Sequence, residues 1–194
     1  YTLFDKYIFD GAIRNDACSR FGTNNRDALF WSAGALWKVK KESFMKEVSW
    51  VDDLNFKVSY GTQGNAEIGD YQHLALIGTT ADYAGSSSTV IGQPSNPALT
   101  WEKQALLTAS LSGRVINMID FTLEFYNRKT SSMLLDVPYN YTTGFKELTA
   151  NVGGLRNTGI DITLGIDILR SRDYFLRFNT TFNWNDERVT ELFN

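Results

Sequence analysis

Leu54-Asn55-Phe56-Lys57-Val58-Ser59-Tyr60-Gly61-Thr62-Gln63 decides the fold. Leu54, Phe56, Val58 and Tyr60 alternate with Asn55, Lys57, Ser59, Gly61 and Gln63. Successive side chains of a strand point to opposite faces, so this is a strand with one apolar and one wet face. Residues 119–128 repeat the pattern, with Ile119, Phe121, Leu123 and Phe125 against Asp120, Thr122, Glu124, Tyr126 and Arg128. So do residues 160–168, where Ile160, Ile162, Leu164, Ile166 and Ile168 oppose Asp161, Thr163, Gly165 and Asp167. Each segment is about as long as a membrane-crossing strand, roughly 9–11 residues. A charged second face suits a water-filled lumen better than a packed core.

Working outward, seven strands are predicted, at about 6–16, 29–39, 54–63, 103–114, 118–130, 157–169 and 174–187. In the first, Tyr7, Phe9, Gly11 and Ile13 oppose Asp10, Ala12, Arg14 and Asp16. In the second, Leu29, Trp31, Ala33, Ala35, Trp37 and Val39 point outward. In the fourth, Leu107, Ala109 and Leu111 face away from Thr108, Ser110 and Ser112. In the seventh, Leu176, Phe178, Phe182 and Trp184 oppose Arg177, Asn179, Thr181 and Asn183.

The links alternate in length. Residues 64–102 and 131–156 are long; 115–117 and 170–173 are short. Transmembrane barrels place short turns on the periplasmic side and long loops outside. The link at 40–53 is longer than a tight turn, and Glu42–Glu47 suggests one or two helical turns at the rim. The 64–102 link, rich in Gly, Ser and Pro, reads as a long structureless loop, and such loops are usually functional. Trp31, Trp37, Tyr60, Trp101, Tyr174 and Trp184 fall near strand ends, as in an aromatic girdle.

Composition agrees with this reading. The 194 residues are 43% hydrophobic and 14% aromatic, with net charge −3. Mean hydropathy is −0.26, as expected where polar and apolar residues alternate. No apolar run reaches the ~18 residues of a membrane helix. No basic run suggests nucleic acid. The single cysteine, Cys18, and single histidine, His73, supply neither an internal disulfide nor a histidine-based metal or catalytic constellation. Asp52-Asp53 reads as a solvated turn. No catalytic residue, cofactor or metal site is expected.

Several phrases carry a resemblance. They are Ser19-Arg20-Phe21-Gly22-Thr23-Asn24-Asn25-Arg26 with Phe30 and Trp37, then Glu42 with Phe44-Met45. Leu54–Gly61 follows, with Gly64-Asn65 and Ile68-Gly69-Asp70-Tyr71. Then come Asn96-Pro97, Leu99-Thr100-Trp101-Glu102, Tyr126-Asn127-Arg128-Lys129-Thr130, Gly144-Phe145, Asn151-Val152-Gly153 and Asn157-Thr158-Gly159-Ile160. In order and spacing they resemble the barrel domain of SusC/RagA-type TonB-dependent outer-membrane transporters, over essentially the whole chain.

The resemblance implies an all-β, antiparallel up-and-down transmembrane barrel of about 22 strands, of which seven would be about a third. Residues 1–194 would be part of that one barrel domain. The chain begins and ends in strand pattern, so a plug, earlier barrel strands, the closing strand and the TonB-contacting segment are expected elsewhere in a longer polypeptide. The implied work is TonB-driven import of a glycan or oligopeptide across the outer membrane of a Gram-negative bacterium, with a SusD-like surface lipoprotein as lid. The motif glycines and asparagines (Gly61, Gly64, Gly153, Gly159, Asn65, Asn151, Asn157) read as scaffold where strands meet loops.

The expected lumen face comprises Asn55, Lys57, Ser59, Gln63, Asp120, Glu124, Arg128, Asp161, Thr163, Asp167, Arg177, Asn179 and Asn183. Tyr71, Tyr83, Trp101, Tyr139 and Tyr141 are the expected cargo or lid contacts, and outer-membrane lipid is the expected partner of the apolar face. Two alternatives stay open. A soluble carbohydrate-binding β-sandwich would cover the apolar face with a second sheet. A porin independent of TonB would lack an upstream plug.

Overall fold

The computed structural model describes residues 1–83 and 86–192, with the side chains of 80–83, 86 and 87 outside that description. In chain order the strands are β1 (Thr2–Leu3), β2 (Tyr7–Ala17), β3 (Asp27–Lys38), β4 (Val51–Asn65), β5 (Leu76–Tyr83), β6 (Ser86–Gln93), β7 (Glu102–Val115), β8 (Ile119–Ser131), β9 (Leu134–Pro138), β10 (Glu147–Asn151), β11 (Gly154–Arg170) and β12 (Phe175–Glu191). One antiparallel sheet has the order β1-β2-β3-β4-β7-β8-β11-β12, and β5–β6 and β9–β10 are separate hairpins. The seven predicted strands are therefore β2, β3, β4, β7, β8, β11 and β12, each paired with its predecessor in up-and-down order.

Register carries the alternation from strand to strand. Phe9, Ala35, Val58, Ala109, Phe125, Ile160 and Trp184 form one row; Tyr7, Trp37, Phe56, Leu111, Leu123, Ile162 and Phe182 form the next. Opposed residues share a face, so seven apolar stripes merge into one apolar band. No second sheet or helix covers this band among the described residues. Phe56, Leu123, Phe178, Phe182 and Trp184 are exposed on it. A sandwich would have buried them, and that alternative loses its required second layer.

The strands run 11 to 17 residues; β3, β4, β7, β11 and β12 exceed their predicted spans, while β2 and β8 match theirs in length. On the long-link side they continue past the apolar band, where Asn127, Thr158 and Asp186 replace aliphatic residues on the same face. The turn after β7 is tight, with Ile116 and Asn117 both at positive φ (48° and 53°). Two such residues twist a hairpin correctly, although αL is unfavourable for a β-branched residue. Local hydrogen bonds offset the strain: Ile116 N donates to Trp50 O (2.7 Å) and Asn117 N to Asp52 Oδ2 (2.6 Å).

Several expectations need correction. The 64–102 link holds the β5–β6 hairpin instead of bare loop, and the long 131–156 link holds the β9–β10 hairpin. The rim segment forms the expected helical turn, as a 3-10 turn at Ser43–Met45, with another at Val39–Lys41 before it. Val39 is buried there instead of pointing outward, because the chain leaves the strand at Lys38 (ψ 84°). A register shift between Asp167 and Leu169 takes Ile168 out of the ladder. Gly61 and Gly159 lie inside strands; a Cβ on Gly159 would stand 2.4 Å from the Tyr126 ring. That glycine makes room for an aromatic on the polar face.

At the short-turn end, Glu42 fastens the start of β2 to the end of β3. Its carboxylate accepts from Tyr7 Oη (2.6 Å), Lys6 Nζ (2.9 Å) and Trp37 Nε1 (3.2 Å). The Tyr7 hydrogen bond first, then that from Lys6, hold its pKa at about 2 against an ordinary 4.5. A carboxyl acidified by folding stabilises the fold above its ordinary pKa and loses that contribution as pH falls through 4.5 towards 2. Wild type and Glu42→Gln should therefore differ by a constant amount in unfolding midpoint above about pH 5.5, with the gap narrowing as the pH falls and closing only below about pH 2. A gap independent of pH would contradict this role for the carboxylate.

Candidate functional site

The face opposite the apolar band is mainly polar, with Ile8, Leu36 and Leu106 as apolar exceptions. One row reads Leu36, Lys57, Ser110, Glu124, Asp161 and Asn183; the next reads Lys38, Asn55, Ser112, Thr122, Thr163 and Thr181. Asp120 and Asn179 flank Gly165, Gln63 pairs with Gln104, and Arg128 stands opposite Asn157. All thirteen residues expected to line a lumen thus share this one face. Some also bond across strands: Asn183 donates to Asp161 and Gln63 to Gln104.

Near the short turns this face carries a four-member ionic network. Arg114 Nη2 lies 2.8 Å from Asp167 Oδ2 and its Nη1 3.4 Å from Asp120 Oδ1. Arg177 bridges the same carboxylates at 2.9 Å (Asp167) and 2.6 Å (Asp120). Asp167 is 4% exposed, and a carboxylate so buried is tolerable because two guanidinium groups and the Met118–Asp167 backbone bond surround it. Two cations and two anions cancel, so the network braces β7, β8, β11 and β12 without adding net charge. Arg114 was not among the expected lumen residues, although its alternation with Ser112 and Ser110 carried the signal.

The long links build a platform at the other end. Its core is Phe21, Phe30, Ile68, Leu99 and Trp101, with Phe21 and Leu99 fully buried. The resemblance motifs supply the fastenings. Arg20 pairs with Asp70 (3.0 Å), Asn25 Nδ2 donates to Pro97 O (3.2 Å), and Asn96 Nδ2 donates to Thr149 O (2.9 Å). Asn151 accepts from Thr100 N and donates to Thr100 O, both at 2.7 Å, and also donates to Ser132 O. Gly153 sits at φ +86°, a conformation L side chains rarely adopt.

The five aromatic contact candidates separate on this platform. Tyr71, Tyr139 and Tyr141 are exposed at 62%, 44% and 79%. The Tyr83 side chain lies outside the described residues. Trp101 needs correction: it is 7% exposed, packs on Phe21 and Phe30, and donates its indole N–H to Arg26 O (3.0 Å). Its faces are in the platform core, so it belongs neither to a contact surface nor to an aromatic girdle. A polar cleft between the two hairpin regions had no signal in the sequence, because neither hairpin was read as strand. Gln72, Gln93, Asp136, Glu147 and Thr149 line it.

A single-layer antiparallel sheet with one predominantly apolar face, a charged opposite face, tight turns at one end and folded long loops at the other is a segment of transmembrane β-barrel wall. The family model described as "TonB dependent receptor-like, beta-barrel" matches residues 1–193, and the chain belongs to this family of outer-membrane proteins of Gram-negative bacteria. It is 31% identical to TonB-dependent receptor P26 of Formosa agariphila and 30% identical to TonB-dependent receptor SusC of Bacteroides thetaiotaomicron, in each case over 99% of this chain and 20% of that protein. Among solved structures, the RagAB peptide importer in its closed-closed state superposes with a TM-score of 0.90 at 38% identity, over 97% of this chain and 21% of that one. The open-open state of the same importer gives 0.87. The chain thus spans about a fifth of the length of these relatives.

Proposed function

We propose that this chain is about a third of the barrel wall of a SusC/RagA-type importer, whose whole length brings a nutrient oligomer, a glycan or an oligopeptide, across the outer membrane. The observation that carries this is a predominantly polar face opposite a predominantly apolar one, in a chain of this family. Asn55, Lys57, Ser59, Gln63, Asp120, Glu124, Arg128, Asp161, Thr163, Asp167, Arg177, Asn179 and Asn183 then line a lumen of mixed charge. Such a lumen offers hydrogen bonds to hydroxyls and amides without a strong field of one sign. The similarity to SusC and to the peptide importer RagAB supports a SusD-like lipoprotein partner and TonB as the energy source. No catalytic role is proposed for any residue.

Cargo and lid contacts are assigned to the platform: the exposed Tyr71, Tyr139 and Tyr141, the polar cleft, and the β5–β6 hairpin. Aromatic faces stack on sugar rings and pack on peptide side chains alike. Leu76 and Gln93 are register partners, and the Gln93 side chain anchors the base through Tyr71 O and Leu74 O. Residues 77–92 can therefore be replaced by an Asn-Gly turn. In the full-length transporter this should leave barrel assembly intact, since exposed hairpin tips tolerate change. Uptake or lipoprotein co-purification should fall. Normal uptake and normal complex formation would remove the assignment of the hairpin to cargo or lid.

A further inference from the structure

Above the apolar band, the outward face changes sign. Moving towards the long loops, Phe125 is followed by Asn127 and Lys129, Ile160 by Thr158 and Arg156, and Trp184 by Asp186 and Arg188. The ladder aligns the last members: Lys129 stands opposite Arg156, and Arg156 opposite Arg188. Lys103 lies beside them on β7, diagonal to Lys129 through the Ala105–Lys129 pair. Directly opposed Cβ atoms in such a ladder are about 5 Å apart, and like charges at that spacing repel.

Internal neutralisation is sparse. Arg188 pairs with Asp186 at 2.7 Å. Among the described residues no carboxylate lies within 4.0 Å of Lys103, Lys129 or Arg156, and Arg156 Nε donates to the neutral Asn127 Oδ1 (3.2 Å). All four cations are solvent-exposed. Lys129 and Arg156 rim a groove of about 580 Å³ whose walls include Tyr60, Ala105 and Leu107 from the apolar side and Glu191 from β12. The small Ala105 beside the larger Tyr60 and Leu107 leaves this recess in the wall.

Four residues beyond the last apolar side chain is about 13 Å along a strand, or roughly 10 Å along the bilayer normal at a tilt of ~40°. That is headgroup depth, on the outer-leaflet side. We propose that Lys129, Arg156 and Arg188, with Lys103 beside them, hold the phosphate of an anionic glycolipid of the outer leaflet, an acyl chain of which lies in the groove over Ala105 and Leu107. The charge chooses the occupant. Guanidinium groups bind phosphate in bidentate fashion and Lys adds a point charge, whereas a neutral lipid would leave the row repelling itself. The proposal rests on the outward, lipid-facing assignment of the apolar band.

The test uses the full-length transporter with Lys129→Gln, Arg156→Gln and Arg188→Gln combined, and Lys57→Gln with Arg128→Gln as a polar-face control. Each is delipidated in detergent and titrated with lipid A, with a zwitterionic phospholipid or with inorganic phosphate, while bound lipid is counted by native mass spectrometry. Wild type and the control should bind lipid A and unfold at higher temperature with it. The triple variant should bind it more weakly by roughly tenfold or more. Inorganic phosphate should not displace the lipid. Equal lipid A binding by wild type and triple variant overturns the proposal, as does equal binding of the zwitterionic lipid. Displacement by inorganic phosphate would make this an anion site without a lipid. A change in oligomeric state of the triple variant, with lipid binding unaltered, would assign the row to a protein contact. Lipid-phase quenching of residues on the apolar band tests the underlying orientation separately, so the two can fail independently.

Discussion

Arginine at Phe121 or Leu164 is expected to destabilise the folded barrel by about 2–4 kcal/mol, whereas arginine at the neighbouring Thr122 or Thr163 should cost little. The pairs differ by one residue along β8 and β11, and one residue reverses the face. Phe121 pairs with Leu164 in the ladder and Thr122 with Thr163, so both comparisons are made at one height. Phe121 and Leu164 lie within the apolar rows, where a cation has neither water nor a counter-ion. Thr122 and Thr163 sit among Ser112, Asn55 and Thr181, where a guanidinium finds polar neighbours. Urea unfolding of the full-length protein in lipid vesicles, read by heat-modifiable migration, gives the four values. Equal losses at all four positions would remove the assignment of faces.

Replacing Trp101 by alanine should cost about 3–5 kcal/mol locally, because it empties the middle of the platform core. Trp101 is the ring between Phe21 (centroids 5.4 Å) and Phe30 (5.7 Å), and its loss also leaves Arg26 O without the indole donor. The damage should stay above the sheet: strand pairing of β7 to β12 does not depend on this core, while the 19–26 and 94–101 segments do. Hydrogen exchange should accelerate at Asn25 and Leu99, whose amides bond to Gly22 O and Asn96 O, and not at Phe125 or Ile162. Trp101→Phe should fall between wild type and alanine. Unchanged exchange at Asn25 and Leu99 would mean that Trp101 does not hold the platform together.

The same residue marks the limit of what was legible beforehand. Trp101 follows a Gly-, Ser- and Pro-rich stretch, where an aromatic resembles a ligand contact. What buries it is Phe21 and Phe30, some 70–80 residues away, and no local pattern records that encounter. The seven wall strands were legible because lipid and water impose a two-residue period on each of them separately. Strand order followed from link lengths. Both hairpins were missed because neither spans the wall between lipid and water: the glycines and serines of β5–β6 read as loop, and the β9 and β10 strands are only five residues each. Val39 shows a smaller failure of the same kind. Alternation ran through it, while the chain had already turned at Lys38. The polar face was recoverable residue by residue, but the Arg114–Asp120–Asp167–Arg177 network required the register across four strands.

The central claim is that one sheet face meets lipid and the other meets an aqueous lumen. Single cysteines at Phe56, Leu123 and Ile162, and at Lys57, Glu124 and Asp161, in a Cys18→Ala background of the full-length transporter, test it most directly. Each is labelled with a small fluorophore and reconstituted into vesicles whose acyl chains carry a nitroxide quencher. The two sets are register rows of adjacent residues, at nearly the same height in the wall. Strong quenching at Phe56, Leu123 and Ile162, with weak quenching at Lys57, Glu124 and Asp161 and the reverse order for a water-soluble quencher, is the expected result. Equal quenching of the two rows by the lipid-borne nitroxide would contradict it.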